Sequence, residues 1–443
     1  MPIAPERRTA LLRLALVPVL VAALASCGGD TGYIVGIPNR VGVADFNGDG
    51  RPDIAVATAQ IDQLGIGTEP GYLGIIMQQS TGTAGNFNSQ VTYQTTQAPP
   101  TGLVVGDLTG TGTQDVVVPS GANGTLSVFL QTGHETGVFQ SAQHITVGGE
   151  PNDVQMADVN GDGLPDLIVA DGTGYVEILL QNPSKPGTFG TPIKLTVPVP
   201  STGPTRPVRL AVGDLNGDGL PDIVVTSSTP PTPEIVGGYY GTVTIFFQDP
   251  SNPGTYPAAL IQQFPLLGSP VQVKIADLNG DGLNDIAIAC EDLLGDGPTG
   301  ANGQSGAGAA VLLNSTSDPG DFANAAVNVY NGGDVLSGTL SLDIGDLTDN
   351  TGGSKDIAMT SLYPTGEGYI YVLPHDPSNP GQFLTPSAYL GLGQPSSVVI
   401  HDMNGDGWND IVVSDATTAG ILLNSTGSNS GTLTFATEVQ VGY

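Results

Sequence analysis

Basic residues are scarce: Lys plus Arg number 11 against 42 Asp plus Glu in a chain of 443, a formal charge of −31. That balance excludes electrostatic capture of nucleic acid or of anionic lipid surfaces as a main activity. Charged residues of both signs make up only 12%, and the mean hydropathy is +0.08, so a solvated acidic tail is excluded as well. Cysteine occurs twice, at Cys27 and Cys290, and tryptophan once, at Trp408. No apolar run approaches the roughly 20 residues of a membrane-spanning helix. Abundance lies in 64 Gly and 35 Pro, which is turn chemistry and rules out long helices.

The first residues differ from the rest. Arg7, Arg8 and Arg13 precede an apolar stretch from Leu14 to Leu24 that is interrupted by Pro18 and closes on Leu24-Ala25-Ser26-Cys27. The pattern reads as a signal peptide over 1–26, and its last four residues resemble a bacterial lipobox, in which Cys27 carries the acyl chains. A short tether over 27–32 follows. Arg7-Arg8 leaves both the general and the twin-arginine export routes open. With Cys27 acylated, Cys290 stands alone, so no disulfide staples the exported chain.

Self-similarity organises everything after the tether. The frame Asp45-Phe46-Asn47-Gly48-Asp49-Gly50-Arg51-Pro52-Asp53 starts again at Asp158, Asp214, Asp277 and Asp402, and worn copies start at Asp107 and Asp346. The starts lie about 60 residues apart, and seven such units use all of the chain from Cys27 to Tyr443. No second domain fits. Each frame leads into a β-rich stretch such as Ile223 to Val225, then a second strand such as Ile178-Leu179-Leu180. A Gly turn with an aromatic residue comes next (Phe139, Phe189 or Tyr256, for example), and a last strand leads on to the next frame. Four short strands per unit, apolar on successive positions, are strands covered on both faces. The expected fold is therefore all-β, a seven-bladed β-propeller of four-stranded antiparallel blades over 33–443, with Leu433 to Val441 completing the last blade and Tyr33 to Val35 at the seam. A parallel β-helix would show a shorter repeat, and WD repeats are excluded because Trp408 is followed by Asn409. The frame and its flanking strands resemble the FG-GAP or VCBS repeats of integrin-α-like propellers.

Side-chain oxygens at frame positions 1, 3, 5 and 9, with glycines at 4 and 6 to permit a tight loop, offer the hard oxygen donors that Ca²⁺ prefers. The expected ligands are Asp45, Asn47, Asp49 and Asp53; Asp158, Asn160, Asp162 and Asp166; Asp214, Asn216, Asp218 and Asp222; Asp277, Asn279, Asp281 and Asp285; and Asp402, Asn404, Asp406 and Asp410. This gives about five Ca²⁺ sites. Mg²⁺ is disfavoured by its stricter geometry. The loop is no EF-hand, because an apolar residue such as Val56 stands where a bidentate Glu would be. In the worn frames Thr109 and Thr111 replace two donors, and Asp346 and Asp356 lie two residues further apart than usual, so neither frame is expected to hold metal firmly.

No catalytic motif is present. Long inserts over 59–71, 227–241 and 291–308 are expected on the face opposite the frames, with Tyr72, Glu234, Tyr239, Tyr240 and Asp292 as exposed candidates for ligand contact. Together these features give the expectation of a monomeric, calcium-stabilised binding module for a protein or a glycan. It is exported, fixed to the bacterial outer membrane or cell surface through Cys27, and without nucleic-acid partners. An enzyme acting on extracellular polysaccharide is the alternative.

Overall fold

Strands of this chain are apolar on both sides because both sides are covered. Asp166–Asp171 and Asp115–Ser120 are buried along their whole length, whereas Ile193–Thr196, at the outer edge of its sheet, is mostly exposed. A computed structural model describes residues 36–60, 70–79, 86–96, 98–133, 136–199, 206–228, 241–266, 268–294, 305–322, 325, 327–331, 338–348, 355–362, 368–390, 393–415, 418–425, 433–435 and 439–442. Its strands form seven four-stranded sheets, each an antiparallel meander in chain order. The blades run over 36–94, 104–146, 151–196, 206–266, 270–331, 338–390 and 397–442. The fold is the seven-bladed β-propeller expected. Two single 3₁₀ turns, Gly121–Asn123 and Ala258–Leu260, are the helical elements among the described residues, and no helix there is long and apolar enough to cross a membrane.

The propeller has no single core. Buried side chains fall into seven clusters, each shared by two adjacent blades. Leu126 and Val128 of the second blade pack on Leu167, Val169 and Leu179 of the third. Cys290 lies buried between the fourth and fifth, a small filler in that packing. Burying each large aliphatic side chain contributes about 1.5–3 kcal/mol, so the blades are held to their neighbours by the same effect that elsewhere holds layers together.

At the seam, Val41, Val56 and Ile76 of the first blade meet Met403, Val412 and Ile421 of the last. Val41 N–H also donates to Ser397 Oγ at 3.3 Å. The last blade completes itself with Val439–Gly442, paired with Thr418–Leu422, overlapping the segment expected for this role. Every blade is thus one contiguous stretch. Tyr33 to Val35 lie outside the described residues, as do the expected signal peptide over 1–26, Cys27 and the expected tether over 27–32.

Each second strand begins at the last Asp of a frame and runs to the far end of its blade, so its connection to the third strand emerges opposite the frames. In the fifth blade the expected insert is in part a longer hairpin, with Leu293 and Leu294 pairing Gly306 and Ser305. Residues 61–69, 229–240 and 295–304 lie outside the described residues, and with them Glu234, Tyr239 and Tyr240. Tyr72 is described and is half-buried on Gly71–Ile76, so it is less exposed than expected.

Candidate metal centres

Five loops repeat one hydrogen-bond pattern. The first Asp straddles the turn: Gly48 N–H donates to Asp45 Oδ1 and Gly50 N–H to Asp45 Oδ2, each at 2.7 Å. Asp158, Asp214, Asp277 and Asp402 accept the corresponding pairs at 2.7–2.9 Å. Both glycines must adopt left-handed backbone for this, with φ of 70° at Gly48 and 82° at Gly50, which a Cβ would strain. The Asn oxygen takes the N–H of the second Asp at 2.8–2.9 Å, and the second Asp takes the N–H two residues on at 2.9–3.0 Å.

The last Asp has a further role that the sequence reading did not assign. It is fully buried in all five intact frames. Its Oδ2 accepts the N–H of frame position 2 at 2.9–3.2 Å, as Phe46 does to Asp53 and Leu215 to Asp222. Its Oδ1 accepts the N–H of the residue two past the third strand at 2.7–2.9 Å: Gln78, Gln181, Gln248, Asn314 or Asn424. This carboxylate therefore ties the frame to the far side of its own blade.

Burial pushes Asp53 and Asp285 up to about 7, and Asp166, Asp222 and Asp410 up to about 6, with the first and second Asp of each frame adding repulsion. Ionisation of such a group opposes folding at neutral pH unless positive charge arrives. Among the described residues no set of three or more His, Cys, Asp or Glu side chains is already gathered into metal-ligating geometry. The donor set nonetheless fits a hard divalent cation. Each intact frame holds three carboxylates and an amide oxygen, and Arg51, the one cationic side chain in an intact frame, turns away to Gln79 O at 2.9 Å, so no side chain of the frame offsets the carboxylates.

The worn frames engage the same buried Asp, Asp115 or Asp356, without the full oxygen donor set. In the second blade a chain of hydroxyls replaces it: Thr113 and Thr111 are 2.8 Å apart, Thr111 and Thr109 3.0 Å, and Thr109 Oγ1 donates to Asp115 Oδ2 at 3.3 Å. In the sixth blade a histidine takes the place of the amide residue. His375 N–H donates to Asp356 Oδ1 at 2.9 Å, its Nδ1 lies 2.8 Å from the same oxygen, and the Thr348 hydroxyl lies 3.1 Å from Asp356 Oδ2. His375→Gln should cost about 1–3 kcal/mol in urea unfolding, by equal amounts in EDTA and in calcium. A loss seen only in calcium would mean that this frame, too, depends on metal.

Sequence reasoning also missed a latch. The amide after the third strand crosses to the preceding blade and donates to the carbonyl of its frame position 2: Gln131 Nε2 to Phe46 O at 3.0 Å, Gln181 to Leu108 O at 2.9 Å, Asn314 to Leu215 O at 2.7 Å, Asn424 to Leu347 O at 2.8 Å. Across the seam Gln78 Nε2 reaches Met403 O at 2.9 Å. Gln248 departs, bonding instead to Tyr256 OH at 3.1 Å. The signal was available, since Gln or Asn occupies that place in every unit except the one that carries His375.

Solved structures of BBS1N in complex with ARL6DN resemble this chain. The one soaked with lead is 13% identical, with 87% of this chain and 91% of that chain covered and a TM-score of 0.46. The one soaked with mercury is 12% identical, with 86% and 90% covered and a TM-score of 0.47. No curated protein matches the chain. The FG-GAP-like repeat family matches residues 45–118, 107–169 and 158–225, each match running from one frame through the next, and the FG-GAP repeat family matches 207–246. Over residues 45–246 the frames and strands coincide with those matches: the chain carries FG-GAP repeats.

Proposed function

We propose that this propeller is a calcium-stabilised binding module, exported and held to the bacterial cell envelope by lipid on Cys27, that engages a protein or a glycan. The observation that carries the reading is the repetition of one loop five times with the same donors and the same hydrogen bonds. Asp, Asn, Asp and the buried last Asp of each intact frame would hold the ion. Calcium there supplies positive charge that offsets the crowded carboxylates and cross-links a loop to its blade, the role that disulfides have in other exported proteins. The carboxylates of these frames are committed to loop N–H groups, which suits a scaffold better than acid–base chemistry and favours binding over catalysis.

Metal analysis of the mature protein after dialysis against calcium should return about five ions per chain. Zero or one would overturn the ligand assignment. A glycan array and capture of envelope proteins with the soluble domain, both in calcium, test the binding half of the reading.

A further inference from the structure

A latch residue does more than hold two blades together, because it is bonded to two frames at once. In the fifth blade the Asn314 N–H donates to Asp285 Oδ1, an expected ligand of its own frame, at 2.7 Å, while Asn314 Nδ2 donates to Leu215 O of the preceding frame, also at 2.7 Å. Leu215 N–H in turn donates to Asp222 Oδ2 at 2.9 Å. Asp222 and Asp285, both fully buried and each an expected ligand of a different ion, are thus joined through Leu215 and Asn314 alone. A second strut lies beside the first: Asn284, next to Asp285 in the chain, donates from Nδ2 to Asp214 O at 2.9 Å.

The seam repeats this route. Met403 N–H donates to Asp410 Oδ2 at 2.9 Å, Gln78 Nε2 to Met403 O at 2.9 Å, and Gln78 N–H to Asp53 Oδ1 at 2.7 Å. Between the third and fourth blades the route is cut. Val159 N–H still donates to Asp166 Oδ2 at 3.2 Å and Gln248 N–H to Asp222 Oδ1 at 2.9 Å, but the Gln248 amide nitrogen goes to Pro221 O and Tyr256 OH, both at 3.1 Å and both in its own blade. Every other junction includes one of the worn frames starting at Asp107 and Asp346, which lack the donors to hold an ion. Complete routes between two intact frames therefore exist at two places, from the fourth blade to the fifth and from the last blade to the first.

We propose that calcium binds this propeller with positive coupling inside two pairs of frames, those starting at Asp214 and Asp277 and those starting at Asp402 and Asp45, while the frame starting at Asp158 fills on its own. The inference rests on the calcium half of the proposed function and assigns Asn314 and Gln78 as the residues that carry the coupling. Filling a loop fixes its last Asp and the backbone at position 2, which has an entropic cost, and a neighbour already fixed through a short hydrogen-bonded route lowers that cost for the second ion. Charge works the other way, because an ion in one loop offsets two of the negative charges that attract an ion to the next. Salt at about 0.15 M screens that effect over about 8 Å. The junction of the third and fourth blades, adjacent but without the route, shows charge alone.

The test is peptide-resolved hydrogen exchange of the protein over a calcium titration in about 0.15 M salt, which reads a midpoint of protection for each frame. Asp218→Ala, which disables the frame starting at Asp214, should raise the midpoint of the frame starting at Asp277 about fivefold or more, and Asp281→Ala should raise that of the frame starting at Asp214 by the same factor, since coupling between two binding sites is reciprocal. Asp406→Ala should act likewise on the frame starting at Asp45. Asp162→Ala should not raise the midpoint of the frame starting at Asp214. These variants remove exposed ligands and leave the buried ties in place; Asn314→Leu, which removes the amide at similar size, should make the frame starting at Asp277 indifferent to Asp218→Ala. Midpoints that move only in the mutated frame overturn the coupling and leave the calcium reading intact. An equal rise across the junction of the third and fourth blades overturns the latch as the route. Protection that does not depend on calcium in any frame overturns the proposed ions themselves, and the coupling with them.

Discussion

Chelation of calcium should lower the melting temperature of the protein by about 13–27 °C. A ligand that binds the folded but not the unfolded chain stabilises by about 2.7 kcal/mol per site at 100 times its Kd, and five sites add their terms, while a chain of this size shifts only about 1–2 °C per kcal/mol. The cause is local. In each intact frame the last Asp is buried beneath two further carboxylates of the same loop, and that repulsion contributes to pushing its pKa up to about 6 or 7. Sodium chloride should imitate only part of the rescue, because screening weakens repulsion between loops and supplies no ligand bonds. Stability should rise with the logarithm of free calcium. Coincident melting curves in excess EDTA and in millimolar calcium would falsify the structural role of the metal.

Two carboxylates of one loop should then behave in opposite ways. Asp218 is exposed and accepts the Leu220 N–H and the Asn216 side-chain amide, both at the surface, so Asp218→Ala should remove one ion's stabilisation in calcium and change unfolding in EDTA by no more than about 0.5 kcal/mol. Asp222 is buried and accepts the N–H groups of Leu215 and Gln248, both at 2.9 Å. Asp222→Ala leaves both donors buried without an acceptor, at about 1–3 kcal/mol each, so it should destabilise by about 2–6 kcal/mol even in EDTA. Guanidinium unfolding of both variants with and without calcium reads the difference. Equal behaviour of the two in EDTA would remove the distinction between a loop ligand and a buried tie.

The repeat made the architecture legible, because nine residues recurring in register mark the start of every second strand. Phe46, Leu108 and Leu215 at frame position 2 were visible as apolar residues inside polar loops, and all are buried between blades. The second role of Asp53 and its counterparts was not legible. Spacing shows which oxygens can converge, whereas the N–H that Asp53 Oδ1 accepts belongs to Gln78, 25 residues on, and only the blade brings the two together. The same holds for Gln131, whose amide bonds to Phe46 O across 85 residues. Nothing local to His375 points at Asp356, and only the blade brings the two together.

Because each blade is one unbroken stretch and the ring borrows no strand across its seam, duplication or loss of a unit of about 60 codons adds or removes a whole blade. Strap, loop and both packing faces are inherited together. A unit can also decay alone, and the second blade shows how: its frame has traded two donors for threonines, yet Gln131 still grips Phe46 of its neighbour. Mutational drift in such a molecule is compartmental, so a metal site can be lost from one unit while the ring around it continues to be selected as a whole.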